Sequence, residues 1–317
     1  MSVEFVDVSL SYRSAAAGRG AGHWSAPGAG TGASATAAGN GLEHVSFRAD
    51  DGGFLGIMGR TGSGKSTLLR LAAGLLAPDE GRVLVDGRDI NARGGRGRRW
   101  LRREMGFVFQ FPENQLFETT VFKEVAFGMR HLGFPRDEIG ANARRAIELM
   151  GFDFDAVKNV SPLGLSGGQK RRVAIAAALA SKPKTLLLDE PIAGLDPAGR
   201  EKFLKLLGRL NDAGTTILMV SHNSDAVCDA ARRTLVLDGG RVCCDGPTAE
   251  VFADEETLAR HGIRPSQAGR IAALLRARGY DVPRETVTRS AISDVLKDIR
   301  AGRLAPAAGG AGSKEAR

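Results

Sequence analysis

Residues 59–67 read GRTGSGKST, directly after the apolar run GFLGIM (53–58) and opening the helical stretch STLLRLAAGLL. The run fits G-x-x-x-x-G-K-[ST] between a strand and a helix, the setting of a phosphate cradle. Its glycines let backbone N–H groups turn inward on phosphate oxygens, and the following helix N-terminus favours negative charge. Lys65 supplies a point charge to the β- and γ-phosphates, and the Ser66 hydroxyl suits Mg²⁺. Gly59, Arg60, Thr61, Gly62, Ser63, Gly64, Lys65, Ser66 and Thr67 are therefore expected to bind nucleotide. TLLLDEP (185–191) is an apolar strand ending in two acids. Asp189 at the strand end can hold Mg²⁺ through water, and Glu190, pointing elsewhere, can polarise the attacking water. His222 in VSHN occupies another strand end, where the carboxyl edge of a parallel sheet meets the γ-phosphate. Together these residues predict Mg²⁺-dependent hydrolysis of a nucleoside triphosphate.

A second anion site lies roughly 100 residues further on. LSGGQKRRVAIAAALA (165–180) places Ser166, Gly167, Gly168 and Gln169 at the start of a long helix. One phosphate loop needs only one such cradle. The spare site is explained economically if it closes on a γ-phosphate bound by another subunit, so that dimers form with ATP and reopen on hydrolysis.

The elements needed to hold these groups are legible along the chain. Residues 3–10 (VEFVDVSL) alternate like an edge strand, HVSFRA (44–49) and GFLGIM follow, and then strands and helices alternate. That pattern predicts an α/β fold with a mostly parallel, buried sheet, a P-loop core joined by antiparallel strands. Residues 111–165 read as an inserted helical subdomain, helical between Val121 and Met150 without a strand. Helical pieces at 265–278 and 288–300 suggest a C-terminal extension over 251–300 beyond a nucleotide-binding domain of residues 1–250, with a frayed tail over 301–317. Arg13 to Gly41 is nearly all Ala, Gly, Ser and Thr, and reads as a flexible insertion in which His23 and Trp24 are incidental.

Bulk properties narrow the class further. With 317 residues, 43% of them hydrophobic, the chain holds one large domain plus an appendage. No window approaches about eighteen consecutive apolar residues, and MSVEFVDVSLSY lacks a signal-peptide layout, so a soluble protein is expected. Cys228, Cys243 and Cys244 show no metal-ligand spacing and fit a reducing compartment. The net charge of +8 invites a nucleic-acid reading, but arginines are spread through the chain, and the densest run, GRGRRWLRRE (95–104), reads as a solvated helix start.

With the phosphate loop, DEP and LSGGQ in place, residues 3–250 resemble the ATP-binding-cassette family. The resemblance implies that Gln110 links Mg²⁺ and the attacking water to a partner subunit, so that Ser66, Gln110 and Asp189 surround the metal. It also implies that Asp196 in AGLDP lies in a loop crossing the dimer interface, that His222 is the switch histidine, and that Tyr12 stacks on adenine. Glu190, His222 and Gln110 then form the catalytic set. One copy of each motif means that a second cassette must come in trans. Within the family, DNA-repair ATPases carry a coiled coil or zinc module between phosphate loop and signature, and here neither heptads nor CxxC pairs occur. Ribosomal cassette proteins usually hold two cassettes, too many for this length. Transport is the remaining class, with another transporter type or a nucleic-acid ATPase as alternatives.

FQFPENQLFE (109–118) sharpens that reading. It resembles the ATPases of energy-coupling-factor importers, and its FPE form resembles the second ATPase of the shared module, with cobalt and nickel systems similar. The stretch implies a groove for a membrane subunit's helix, with Phe111, Glu113, Phe117 and Glu118 as docking residues over Leu116. The implied partners are a second ATPase in a heterodimer, a transmembrane scaffold and a substrate-binding membrane protein, with no nucleic acid. The implied place is the cytoplasmic face of the membrane, and the cargo a vitamin or transition-metal ion. Two features depart from the family pattern: the long 13–41 insertion, and Gly164 where an acid is frequent. Neither removes a catalytic group.

Overall fold

The computed structural model describes residues 1–12, 41–92 and 97–306. Residues 13–40 of the expected insertion, with His23 and Trp24, lie outside them, as do residues 93–96 and the tail from 307. The elements run β1 (Val3–Leu10), β2 (Leu42–Ala49), β3 (Phe54–Gly59), α1 (Lys65–Ala72), β4 (Glu80–Val85), β5 (Arg88–Asp89), α2 (Gly97–Glu104) and β6 (Met105–Val108). A helical section follows: α3 (Val121–His131), α4 (Arg136–Leu149), α5 (Phe154–Val157) and α6 (Gly167–Ala180). Then come β7 (Thr185–Asp189), α7 (Pro197–Asp212), β8 (Thr216–Val220), α8 (Ser224–Ala230), β9 (Arg233–Asp238) and β10 (Arg241–Pro247). Helices α9 (Thr248–Ala253), α10 (Glu255–Arg260), α11 (Gln267–Ala277) and α12 (Arg289–Arg300) complete the described chain.

Six strands form the main sheet in the order β10-β9-β3-β8-β7-β6, parallel except for β10. Strands β3, β7 and β8 are buried at every position, as apolar runs covered on both faces must be. Their side chains alternate between two cores. Leu186, Leu188, Ile217 and Met219 face the layer of α3, α4, α6 and α7, whereas Leu187, Leu218 and Val220 face α1 and the smaller sheet.

That smaller sheet is antiparallel, in the order β2-β1-β4-β5. Here the expectation of an edge strand at residues 3–10 is corrected, because β1 lies between β2 and β4. Alternation reports that one face is buried and the other half-wet; it carries no information on how many neighbours a strand has. The basic run over 95–104 contributes α2, in which Leu101 is buried and Arg102 and Arg103 are exposed.

Register places the functional segments at one end. Ile57 pairs with Val220, Val220 with Asp189, and Val108 with Leu188, so the strands finish at one carboxyl edge. Helix α8 approaches β3 so closely that a Cβ on Gly56 would sit 2.6 Å from Val227 Cγ1. At the C-terminus, Phe252, Leu258 and Ile263 pack into the large core, so the boundary expected after residue 250 falls inside α9. Helices α11 and α12 have their own small core of Ala268, Ala272, Val282 and Ile292. Two carboxylates of α8 tie that pair down: Asp225 accepts from the Gln267 N–H at 2.6 Å and Asp229 from the Arg289 N–H at 2.9 Å.

Candidate active site

The phosphate loop is shaped by backbone geometry before any ligand is considered. Gly64 adopts φ +99°, and a Cβ there would strain the backbone and meet Leu42 Cδ2 at 2.5 Å. The turn aims the first N–H groups of α1 into the loop. Lys65 is 7% exposed, and its Nζ donates to the carbonyl oxygens of Gly59 at 2.8 Å and Arg60 at 2.7 Å. Burial draws its pKa down, while the charges of Glu190 and Asp189 oppose that drop. The Tyr12 and Thr67 hydroxyls meet at 2.8 Å, which brings Tyr12 to the loop. Arg60 reaches the other way, donating to the Arg260 carbonyl at 3.1 Å.

Asp189 closes β7, and Glu190 follows with φ +50°, a left-handed conformation for a residue with a side chain. Such a backbone costs on the order of 1–3 kcal/mol and needs surrounding structure to hold it. Part of that hold is the Glu190 N–H, which donates to the Val220 carbonyl at 3.1 Å. The turn sends Glu190 away from Asp189 and towards the end of β8. There Glu190 Oε1 lies 3.5 Å from His222 Nε2 and is buried without a hydrogen-bond partner. Burial raises the Glu190 pKa to about 7, helped by Asp189 and opposed by Lys65. A carboxyl poised there can take a proton from water near neutral pH. The His222 ring is about half exposed, and burial followed by the Lys65 charge lowers its pKa.

The donor set at the first turn of α1 suits Mg²⁺. The Ser66 hydroxyl hydrogen-bonds the Asp189 carboxylate, so two hard oxygens converge at the start of α1, a donor set that would suit a hard cation. Burial raises the Asp189 pKa and that hydrogen bond opposes the rise. Among the described residues no group of three or more His, Cys, Asp or Glu is placed to hold a metal ion. Gln110 is exposed at a bend two residues beyond β6, and the β6–β7 register brings it level with Asp189 and Glu190.

The signature segment is built elsewhere. Ser166 caps α6 in a reciprocal box: its hydroxyl accepts from the Gln169 N–H at 3.3 Å and Gln169 Oε1 accepts from the Ser166 N–H at 2.9 Å. A Cβ on Gly167 or Gly168 would meet nothing within 4 Å, so the bare first turn is open to an oxyanion from outside. Asp196 caps α7, accepting from the Gly199 N–H at 2.9 Å. Ser166, Gly168, Gln169 and Asp196 line one open cleft of about 1040 Å³ that includes no phosphate-loop residue.

In FQFPENQLFE, Phe111 turns the chain with φ 54°, ψ 56° and Pro112 starts a single 3₁₀ turn, as a strand end requires. Phe111 is 50% and Phe117 61% exposed. Phe117 rests edge-on against Phe127, with centroids 4.8 Å apart. Leu116 takes the expected place and Glu113 does not. Leu116 is buried and supports the surface from beneath. Glu113 faces inward, its carboxylate 4.0 Å from the Arg171 guanidinium, because a buried arginine attracts the nearest acid. The Glu118 N–H and the Phe117 N–H both donate to the buried Glu124 carboxylate, at 2.7 and 2.9 Å.

Arg171 is the residue that motif reading passed over. It sits in the KRR run, but Arg171, Ile175 and Leu179 recur at helical spacing and all three are buried. That stripe was the available signal.

Comparison with known proteins places these features in context. Residues 42–193 match the family model described as ABC transporter. The energy-coupling factor transporter ATP-binding protein EcfA2 of Symbiobacterium thermophilum is 45% identical over 83% of this chain and 90% of its own. That of Clostridium perfringens is 41% identical over 81% of this chain and 90% of its own. Among solved structures, cbiO1 from Clostridium perfringens, part of the ABC transporter complex cbiONQ, superposes with a TM-score of 0.66 at 32% identity, covering 86% of this chain and 98% of its own. The cassette MJ0796, dimeric and bound to ADP and Pi, gives 0.63 at 28% identity, over 78% of this chain and 98% of its own. None of the described helices is long and apolar enough to cross a membrane.

Proposed function

This chain belongs to the energy-coupling factor ATP-binding proteins of the ABC transporter family, and we propose on that premise that it is the ATP-hydrolysing subunit of an importer of that type. The observation that carries the proposal is the meeting of Lys65, Ser66, Asp189, Glu190 and His222 at one sheet edge. In this reading residues 59–67 hold the phosphates and Tyr12 stacks on adenine. Ser66, Asp189 and Gln110 hold Mg²⁺, which when bound neutralises charge on the β- and γ-phosphate oxygens. Glu190 takes the proton of the attacking water, and His222, beside Oε1, orients that carboxylate and senses the γ-phosphate. Ser166 to Gln169 and Asp196 act on the nucleotide of a second, unequal cassette in trans. The nucleotide-binding unit runs through α10, and α11 and α12 help hold the pair together.

Coupling follows from the exposed aromatics. Phe111, Phe117 and Glu118 receive a helix of a transmembrane scaffold at the cytoplasmic face, and a separate membrane protein selects a vitamin or a transition-metal ion. Replacing Phe111 and Phe117 by Ala and Glu118 by Lys is expected to leave ATP binding intact while co-purification with the membrane subunits from detergent falls about tenfold or more. Undiminished co-purification would remove this docking surface.

The Glu190 carboxyl also sets a pH dependence. A base whose pKa is raised to about 7 is ionised above that pH and protonated below it. The ratio kcat/KM for ATP, which reports groups of the free protein, should therefore fall as pH drops below about 7 and level off above it. A flat profile across that range would exclude Glu190 as the proton acceptor.

A further inference from the structure

Four segments with separate roles in the reading above converge on one side chain. Arg171 lies on α6, five residues beyond the Ser166 cap, and is 4% exposed. Its Nε donates to the Pro191 carbonyl at 3.1 Å, one terminal nitrogen to the Glu190 carbonyl at 2.9 Å, and the other to the Ala193 carbonyl. That second terminal nitrogen also faces Glu113 at 4.0 Å, and the facing oxygen, Glu113 Oε2, is buried without a hydrogen-bond partner of its own.

We propose that Arg171 is a positioning residue for hydrolysis, clamping the backbone that carries Glu190 to the signature helix and, through Glu113, to the loop that carries Gln110. The proposal rests on the ATPase reading and deepens it. Glu190 sits in a left-handed conformation at φ +50°, a geometry that the chain leaves unless it is held from outside. The Arg171 fork holds it on the carbonyl side, while β8 holds the N–H. A planar guanidinium with five donors in a fixed fork can span the three carbonyl directions of Glu190, Pro191 and Ala193, a geometry that an ammonium does not match.

The same fork fixes Pro191 and Ala193, and three residues later the loop ends at the Asp196 cap of α7. The orientation of the dimer-facing loop and that of the base are therefore set by one group. Glu113 adds the fourth link. It follows Gln110 by three residues and lies between the exposed Phe111 and Phe117, so a shift of the docking loop reaches Arg171 directly. Buried charges are kept in place by their partners, and moving the carboxylate disturbs the whole set.

Steady-state hydrolysis by the full-length parent, Arg171→Lys and Arg171→Met decides the matter. Arg171→Lys retains the charge opposite Glu113 and is expected to fold with a melting temperature near the parent's. Its kcat should fall about tenfold while KM for ATP stays within about twofold, and Arg171→Met should lower kcat to about a hundredth with the same KM. A kcat within about twofold of the parent in Arg171→Lys overturns the proposal, whether or not the Met variant folds. So does a parallel loss of melting temperature, ATP affinity and kcat, which marks a purely structural role. Absence of ATP hydrolysis in the parent sinks the ATPase reading itself, and that outcome is distinct from an active parent with an equally active Arg171→Lys.

Discussion

Glu190→Gln is expected to bind ATP with parent-like affinity and scarcely turn over. The expected loss in kcat is about 10²- to 10⁴-fold, the contribution of a positioned general base. Gln matches Glu in shape, so the φ +50° backbone and its link to Val220 are retained, and only proton acceptance is lost. The folded state should not suffer. Burial raises the Glu190 pKa from 4.5 to about 7, so the protonated form favours folding and that contribution is lost as pH rises through about 7. Above that pH the parent buries an ionised carboxylate beside Asp189, and the neutral amide removes this burden. The variant is therefore expected to melt no lower than the parent in mildly alkaline buffer. With hydrolysis blocked, ATP-bound cassette pairs should accumulate, read as a larger species by size-exclusion chromatography with ATP and Mg²⁺. Turnover within a few-fold of the parent would remove Glu190 from the role of base.

Lys65→Met is expected to lose nucleotide affinity rather than turnover alone. The ammonium is 7% exposed and sits among the carbonyls of Gly59 and Arg60 with Asp189 and Glu190 nearby. Charge-assisted contacts to phosphate of this buried kind contribute about 2–3 kcal/mol, so the dissociation constant for ATP should rise by on the order of 10²-fold. Met keeps much of the volume, so a melting curve near the parent's is expected without ligand. The Lys65 charge also holds the Glu190 pKa down, so any residual activity should have its acid limb displaced to higher pH. Binding measured by calorimetry at parent strength would show that Lys65 does not reach the phosphates.

The site was legible in unequal parts. GRTGSGKST, DEP and LSGGQ are local: each uses consecutive residues, and their types, mutual spacing and strand–loop–helix setting point to an anion or a metal. His222 was legible one step further on, as a strand end at the carboxyl edge of a parallel sheet, whereas Gln110 was placed only by the resemblance to the ATP-binding-cassette family. Glu113 and Arg171 were not. They lie 58 residues apart, and either could face solvent until α6 packs beside the 3₁₀ turn at Pro112–Gln115. Likewise the VEFVDVSL alternation located a strand without saying that partners flank it on both sides.

What the sequence determined by itself, then, is the chemistry and the class of fold. Apolar runs of strand length alternating with helices point to a covered parallel sheet, and a Gly-rich loop before a helix offers a cradle for an anion. What only the tertiary structure decided is which distant groups share a burial. Packing turned Glu113 from a surface acid into the counter-charge of Arg171 and lifted Glu190 towards neutrality by removing water from around it. It also kept Phe111 and Phe117 outside while burying Leu116 between them. Those outcomes depend on desolvation and on contacts between segments far apart in the chain, and neither is encoded in any local window of residues.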